Sequence, residues 1–268
     1  MKKFIGFVFF MFIVFNLIDA TAANRPFFWQ LTIATFLTGP LNAMIHIGTP
    51  SKLKHKLSIS PILTPSADIF PNLFRLRKAF PMIKREALLA FKQSKPIKND
   101  LYFTGIADEG WKRFYLKWYG PTDPLAKIVC PETCKLLESM PEVHLGMFSI
   151  LLPGSKIPPH FGPTRMCLRY HMGILTPNDD ECKITIGPDS YSWRDGEDVI
   201  FDDTIIHKVQ NNTNKVRIIL FLDIERPQYK AFRPFADAMI KYGGAATTRT
   251  NEKKETVIRV NNSQPNES

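Results

Sequence analysis

Six short runs rich in β-branched and aromatic residues lie between residues 144 and 227, and they constrain the fold more than any other part of the chain. Clusters of Pro, Gly, Asn and Asp separate the runs, and "LTPNDDEC" and "GPDSYSWRDGED" are typical turn regions. Many short strands joined by turns are typical of a β-sandwich or barrel. We therefore expect a mainly β core, with the preceding helices packed outside it.

The region before this core predicts helices that follow a linker. Residues 51–68 are basic and contain several Pro and Ser residues, as in a juxtamembrane linker. Residues 72–93 carry apolar residues at helical intervals, and Pro81 either interrupts this helix or opens a second one. Residues 131–141 predict a short helix with a proline at each end, one opening and one stopping it.

The N-terminus contains two apolar segments, residues 4–18 and 26–47. Lysines precede the first segment and follow the second, at Lys52, Lys54 and Lys56, which favours a membrane hairpin with both ends in the cytoplasm. A charged start, a short apolar run and the small residues "ATAA" also describe a cleaved signal peptide. The membrane anchor is the favoured interpretation of residues 1–50, and the number of spans stays open.

The charge and aromatic content of the chain indicate which kinds of partner it can bind. The formal net charge of +10 indicates an anionic partner, either a membrane surface or an anionic substrate, and no motif typical of nucleic-acid binding is present. The aromatic and basic block "GWKRFYLKWYG", residues 110–120, fits either core packing or a lipid surface. Four cysteines do not make a disulfide scaffold in a chain of this length, which favours a reducing compartment and packing roles for Cys130 and Cys134.

Two arginines stand in runs that are otherwise apolar. Because side chains alternate along a strand, Arg169 and His171 share one face, and Arg217 shares a face with Ile219 and Phe221. An unpaired buried charge is costly, and these runs offer few carboxylates. An anionic ligand with two carboxylates would satisfy both arginines, because Arg binds carboxylate through two hydrogen bonds.

Two histidines accompany the arginines. His160 lies just before the run that contains Arg169, and His207 begins a later run directly after "FDDTII". Two imidazoles on neighbouring strands suit a ferrous centre with open coordination positions. The carboxylate usual in such a site, two residues after the first histidine, is replaced here by Gly162.

The segments "HFGPTRMCLRYHMGILTP", "YSWRDGEDVIFDDTIIHKV" and "RIILFLDIERP" resemble the aspartyl/asparaginyl β-hydroxylase family of Fe(II) and 2-oxoglutarate dependent dioxygenases. The resemblance implies a double-stranded β-helix (jelly-roll) core and the cofactors Fe(II), 2-oxoglutarate and dioxygen (O2). That family commonly has Gly at the position of Gly162. By position, the resemblance assigns iron to His160 and His207, the 1-carboxylate of 2-oxoglutarate to Arg169 and His171, its distal carboxylate to Ser149 and Arg217, and the orientation of an iron-bound water to Asp203.

The same segments, with "GWKRFYLKWYG" and the apolar N-terminus, are similar to the bacterial lipid A 2-hydroxylase branch. One departure is that this branch has Asp at the position of Gly162. The resemblance implies hydroxylation of an acyl chain of lipid A, an anionic lipid, at the bacterial inner membrane. The catalytic domain would then face the cytoplasm, where 2-oxoglutarate and ferrous iron are found.

Two other functions stay open at this point: a hydroxylase of Asp or Asn side chains in peptides, and a non-catalytic binding barrel that has lost iron. The oligomeric state is also open. The expected organisation is residues 1–50 for the membrane segment or segments, 51–141 for the linker and helical region, 142–232 for the catalytic core, and 233–268 for a polar, partly disordered extension.

Overall fold

The computed structural model describes residues 69–93, 110–162 and 165–226, the backbone of 95–96 and parts of 53–65. Within these residues, no helix is long and apolar enough to cross a membrane. The expected anchor in residues 1–50 and the expected extension in 233–268 lie outside the described residues.

Two antiparallel sheets form the core of the described chain. The larger sheet has the strand order β1-β9-β6-β11-β4-β3-β2, and the smaller has the order β5-β10-β7-β8. The strands are β1 (Ile62–Leu63), β2 (Lys95–Pro96), β3 (Trp111–Trp118), β4 (Val143–Leu151), β5 (Lys156–His160), β6 (Cys167–Leu175), β7 (Cys182–Ile186), β8 (Asp189–Ser192), β9 (Asp198–Phe201), β10 (His207–Asn211) and β11 (Arg217–Glu225). The mainly β prediction is confirmed, as a fold of the double-stranded β-helix type.

The central strand β11 separates two apolar cores. Alternate residues of β11, from Ile218 to Ile224, pack toward the helices, while Ile219 and Phe221 face the smaller sheet. This alternation follows from the pleat of a strand, whose successive side chains point to opposite faces. The face toward the smaller sheet also carries Arg217 and Asp223, so the same strand that closes the helical core supplies charged groups to the interior.

In the described part of the chain, four helices cover the outer face of the larger sheet: α1 (Phe74–Lys78), α2 (Phe80–Gln93), α3 (Pro124–Val129) and α4 (Pro131–Glu138). Pro81 lies in the first turn of α2, so the second of its two predicted effects is the one observed. The buried Glu86 of α2 accepts hydrogen bonds from the backbone N–H groups of Glu132 and Thr133, at 3.0 and 2.8 Å. This carboxylate satisfies donors at the start of α4 that have no partner within the helix.

The aromatic block is a strand of the larger sheet, β3, which the sequence did not predict. Trp111, Tyr115 and Trp118 are buried between the two sheets, and Phe114 and Leu116 are buried under the helices. These rings therefore serve core packing and are not available to a lipid surface. Cys130 and Cys134 are also buried as free thiols, as expected for packing residues, and burial raises the pKa of Cys134 to about 12.

Candidate functional site

The space between the two sheets contains a cavity. The seven residues singled out in the sequence all line it: Ser149, His160, Arg169, His171, Asp203, His207 and Arg217. The rest of the lining is mostly apolar and comprises Trp111, Ile157, Phe161, Gly162, Ile184, Phe201, Val209, Ile219 and Phe221. Polar groups that the chain carries up to 68 residues apart, such as Ser149 and Arg217, thus meet in one place.

His160 and His207 are directly opposed partners in the ladder between β5 and β10. Their ring centroids are 4.2 Å apart. In each ring Nδ1 is 2.8 Å from the backbone carbonyl oxygen two residues earlier, that of Pro158 or Ile205. An Nδ1–H that donates to a carbonyl leaves the Nε2 lone pair free, which is the arrangement found in metal-binding histidines.

Both imidazoles are held in their neutral form. Burial, and then the neighbouring His207, lowers the pKa of His160 to about 4. Burial also lowers the pKa of His207. A histidine must be deprotonated to bind a metal, so the pair is in the required state at neutral pH.

Asp203 takes the space beside the histidines that a side chain at position 162 would need. A Cβ built on Gly162 would overlap the carboxylate of Asp203, and the Gly162 N–H donates to the backbone carbonyl of Asp203 at 2.7 Å. Within the described residues, no three His, Cys, Asp or Glu side chains form a group that could hold a metal ion. The donor set offered to a metal is therefore the histidine pair, with open positions toward the cavity.

Arg169 already has carboxylate partners within the chain. Its guanidinium donates to Asp203 Oδ2 at 2.5 Å and to Asp223 Oδ1, and it lies 4.5 Å from the centre of the Phe221 ring. The expectation that the core strands lack carboxylates was therefore wrong for this arginine. Asp223 stands directly opposite Arg169 in the ladder between β11 and β6, a pairing over 54 residues of sequence.

Arg217 is different, because no carboxylate of the described chain pairs with it. The residue is 1% exposed, its Nη2 donates to Ser149 Oγ at 3.1 Å, and its Nε is buried without a partner. Its guanidinium lies 4.7 Å from the centre of the Trp193 ring. Burial lowers the pKa of Arg217 to about 10, which still leaves it charged at neutral pH. A buried cation in this state favours an anionic ligand.

Ser149 and His171 complete this polar cluster. Ser149 Oγ accepts from Arg217 and from Trp111 Nε1 at 2.9 Å, which leaves its own hydroxyl hydrogen free to donate to a ligand. His171 is 4% exposed, and both of its ring nitrogens are buried without a partner. Burial, with the charges of Arg217 and Arg169, lowers the pKa of His171 well below its usual value, so it is a neutral donor.

The sequence did not identify four residues that shape the site. Trp111 and Trp193 contact Ser149 and Arg217, and Asp223 and Tyr119 contribute to the surroundings of Arg169. Asp223 carried a usable signal: it shares the inward face of β11 with Arg217, four residues beyond Ile219. The tryptophans carried none, because an aromatic residue in a strand is first of all a packing residue.

Comparisons with known proteins identify the family of this chain and two of its relatives. Residues 77–227, more than half of the chain, match the family model described as aspartyl/asparaginyl beta-hydroxylase. The ornithine lipid ester-linked acyl 2-hydroxylase of Rhizobium tropici is 32% identical over 164 residues, which cover 59% of this chain and 58% of that protein. The aspartyl/asparaginyl beta-hydroxylase of Homo sapiens is 31% identical over 182 residues, which cover 64% of this chain and 23% of that protein.

The chain thus spans less than two thirds of the length of either relative. Among solved structures, a prolyl-4-hydroxylase of Pseudomonas putida resembles it with a TM-score of 0.39 and 12% identity, over 55% of this chain and 87% of that one.

Proposed function

Because the chain belongs to the aspartyl/asparaginyl β-hydroxylase family, we propose that it hydroxylates an acyl chain of a membrane lipid, using Fe(II), 2-oxoglutarate and dioxygen. The observation that carries the proposal is the buried Arg217, which has no carboxylate partner in the described chain and lies in the same cavity as the opposed pair His160 and His207. A site for a small dianion beside two neutral imidazoles is what such a reaction requires.

His160 and His207 would bind the iron through Nε2. Their Nδ1–H groups are committed to backbone carbonyls, so the free lone pairs are oriented without further cost in entropy. The open positions of a centre with two protein ligands leave room for the co-substrate and for dioxygen. Asp203, beside Gly162, would orient water at the metal.

The polar cluster would bind 2-oxoglutarate at its two ends. Arg217 and the Ser149 hydroxyl would hold the distal carboxylate, since both have donors to spare. His171 and Arg169 would hold the 1-carboxylate next to the metal, with His171 contributing a buried donor that has no other partner. When bound, iron with 2-oxoglutarate and dioxygen supplies the oxidant for a C–H bond, while the co-substrate becomes succinate and carbon dioxide. The apolar lining, including Phe201 and Ile184, would keep water away from the reacting carbon.

Lipid A is the first substrate candidate, on the resemblance of the sequence, and ornithine lipid is the second, on the similarity to the Rhizobium tropici enzyme. Both are membrane lipids with hydroxylatable acyl chains, and the net charge of +10 suits an anionic lipid surface. We also propose that residues 1–50 anchor the protein in a bacterial inner membrane and that the catalytic domain faces the cytoplasm.

The test is succinate formation by the detergent-solubilised full chain with Fe(II) and 2-oxoglutarate, with and without purified lipid A or ornithine lipid. Stimulation by one lipid, together with a mass increase of one oxygen on its acyl chain, would support the proposal and identify the substrate. His207→Ala should abolish both signals. Turnover that neither lipid stimulates would overturn the lipid assignment while leaving the dioxygenase chemistry in place.

A second candidate is hydroxylation of Asp or Asn side chains in a peptide, which the similarity to the human aspartyl/asparaginyl beta-hydroxylase favours. The same assay separates the two functions when peptides rich in Asp and Asn replace the lipids. A gain of one oxygen on peptide, with none on lipid, would establish this second function. If the protein binds neither iron nor 2-oxoglutarate, the non-catalytic barrel is the remaining explanation.

A further inference from the structure

Tyr119 has a backbone conformation that aromatic residues rarely adopt. Its φ is +39°, in the left-handed region that favours glycine. Such a backbone conformation is unfavourable and persists only where the surrounding structure fixes it, often near functional sites. Here its N–H donates to the His144 carbonyl at 2.8 Å, and its ring stacks on the His144 ring with an interplanar angle of 7°. Tyr119 follows β3 directly, and His144 of β4 thus holds it in this conformation.

The strained residue directs its hydroxyl at a buried carboxylate. Tyr119 Oη donates to Asp223 Oδ2, while Arg169 donates to the other oxygen of the same carboxylate. Asp223 is 2% exposed. Two donors from strands on either side of β11, one neutral and one charged, therefore share the two oxygens of a single buried group.

The contacts continue to the metal-binding pair. Arg169 also donates to Asp203, whose carboxylate occupies the space in front of Gly162. A connected path thus runs from the half-buried Tyr119 through Asp223 and Arg169 to Asp203, beside His160 and His207. The register of the larger sheet supports it, because Leu145, Asp223, Arg169 and Phe201 lie in one row across four strands.

We infer that Tyr119 and Asp223 are positioning residues, which hold the guanidinium of Arg169 between Asp203 and the co-substrate site. This inference rests on the proposed function, because it assigns these residues to 2-oxoglutarate binding. The hydrogen bond from the Tyr119 hydroxyl partly stabilises the Asp223 carboxylate, so Arg169 is not drawn wholly onto Asp223. Without the hydroxyl, the uncompensated carboxylate attracts Arg169 more strongly and withdraws it from Asp203 and from the 1-carboxylate.

Burial is consistent with this role. Burial raises the pKa of Asp223, and the charge of Arg169 and the hydrogen bond from Tyr119 only partly counter it. A carboxylate whose charged form is poorly stabilised gains most from an additional donor.

The test is the dissociation constant of 2-oxoglutarate for the full chain loaded with Mn(II), measured by titration calorimetry without dioxygen. We expect Tyr119→Phe to raise this constant about fivefold, the equivalent of one hydrogen bond. Tyr170→Phe is the matched control, because the Tyr170 hydroxyl also donates to a carboxylate, Asp198 at 3.0 Å, from the same sheet but on its other face. Tyr170→Phe should lower the melting temperature about as much as Tyr119→Phe does, but it should leave the dissociation constant of 2-oxoglutarate unchanged.

A second measurement tests whether Tyr119 acts through Asp223. In the Asp223→Asn background, Tyr119→Phe should change the constant less than about twofold, since the charge it compensates is gone. Equal effects in both backgrounds, an unchanged constant in Tyr119→Phe, or an equal change in Tyr170→Phe would each overturn the inference. Wild-type protein that fails to bind 2-oxoglutarate would instead overturn the proposed function, and the inference with it.

Discussion

The carboxylate of Asp203 occupies the space that a Cβ on Gly162 would need. In iron sites of the His-X-Asp form, position 162 would carry the carboxylate itself. In this chain a carboxylate reaches the same place from the loop between β9 and β10, 41 positions further along the sequence. A glycine is therefore required at position 162, because a side chain there would overlap the carboxylate of Asp203.

The first prediction concerns the steric conflict between a side chain at position 162 and the Asp203 carboxylate. Gly162→Ala should destabilise the fold by about 1–3 kcal/mol, because the added methyl group displaces a carboxylate that is tied to Arg169. In an Asp203→Ala background the same substitution should cost less than about 0.5 kcal/mol. Urea unfolding measures both values.

Gly120→Ala is the control for this cycle, because the nearest atom to a Cβ at Gly120 is 3.6 Å away, at an ordinary contact distance. Equal costs for Gly162→Ala in the two backgrounds would mean that Asp203 is not what excludes a side chain there.

The second prediction concerns metal binding. His160→Gln and His207→Gln should each lower the affinity for Co(II) by at least about a hundredfold, because each substitution removes one of the two imidazole nitrogens proposed to bind the metal. The measurement is titration of the visible Co(II) absorption. His144→Gln serves as the control, since His144 pairs with Glu225 at 3.4 Å and does not line the cavity.

The third prediction separates the two interior arginines by the sign of their effect on stability. Arg217→Met should leave the ligand-free protein as stable or more stable, because it removes a buried cation that lacks a carboxylate partner. Arg169→Met should destabilise it by about 3 kcal/mol, because it leaves Asp203 and Asp223 uncompensated. Thermal and urea unfolding in the absence of 2-oxoglutarate distinguish the two.

Arg217→Met should also weaken 2-oxoglutarate binding by about a hundredfold, the loss of a charged double hydrogen bond. Retained affinity in this variant would exclude Arg217 from the co-substrate site.

The fourth prediction concerns pH and the loop that carries Asp203. Asp202 pairs with Arg226 at 2.7 Å, and both side chains are buried. Burial acts to raise the pKa of Asp202, but Arg226 and the hydrogen bonds from Thr204 outweigh it and hold that pKa below the usual aspartate value. A lowered pKa in the folded state means that the stabilisation by the pair is fully present above the unfolded pKa of about 3.9. It is lost progressively as the pH falls from there through the lowered folded-state pKa of Asp202.

Asp202→Asn should therefore cost about 3 kcal/mol at pH 7 and progressively less below about pH 4. Unfolding free energies measured from pH 3 to pH 7 check this dependence. A cost that does not change over that range would mean that the ion pair contributes nothing through its charge.

Much of the interior could be predicted because strands alternate. The shared face of Arg169 and His171, the inward face of Arg217 and the start of a strand at His207 all agree with the structure. These predictions depend only on the period of two along one strand, which does not require knowledge of the partner strand.

The strands that were missed have identifiable causes. In β5 the sequence "KIPPH" contains two prolines, which lack the N–H that a ladder needs, but β5 is an edge strand of the smaller sheet, where proline is tolerated. In β3 a register shift between Tyr115 and Lys117 breaks the alternation. β8 lies within a segment that predicts a turn, and it is only four residues long.

The carboxylate partners of Arg169 could not be predicted for a different reason. Asp203 and Asp223 are 34 and 54 residues away in sequence, so their contact depends on which strands pair and in which register. A single sequence gives the face on which each residue lies, but not the residue that stands opposite it.

β11 makes hydrogen-bonded ladders with both β4 and β6 and faces a different core on each side. Because side chains alternate, one inserted or deleted residue within it would exchange Arg217, Ile219, Phe221 and Asp223 for the apolar residues that face the helices. The protein would then lose the apolar packing of its cores together with the polar residues of the cavity. No variant of this kind should fold normally and merely fail to bind 2-oxoglutarate. Length variation among related chains should accordingly be absent from this strand and concentrate in turns such as residues 187–188. Libraries designed to change the substrate specificity should leave the length of β11 untouched.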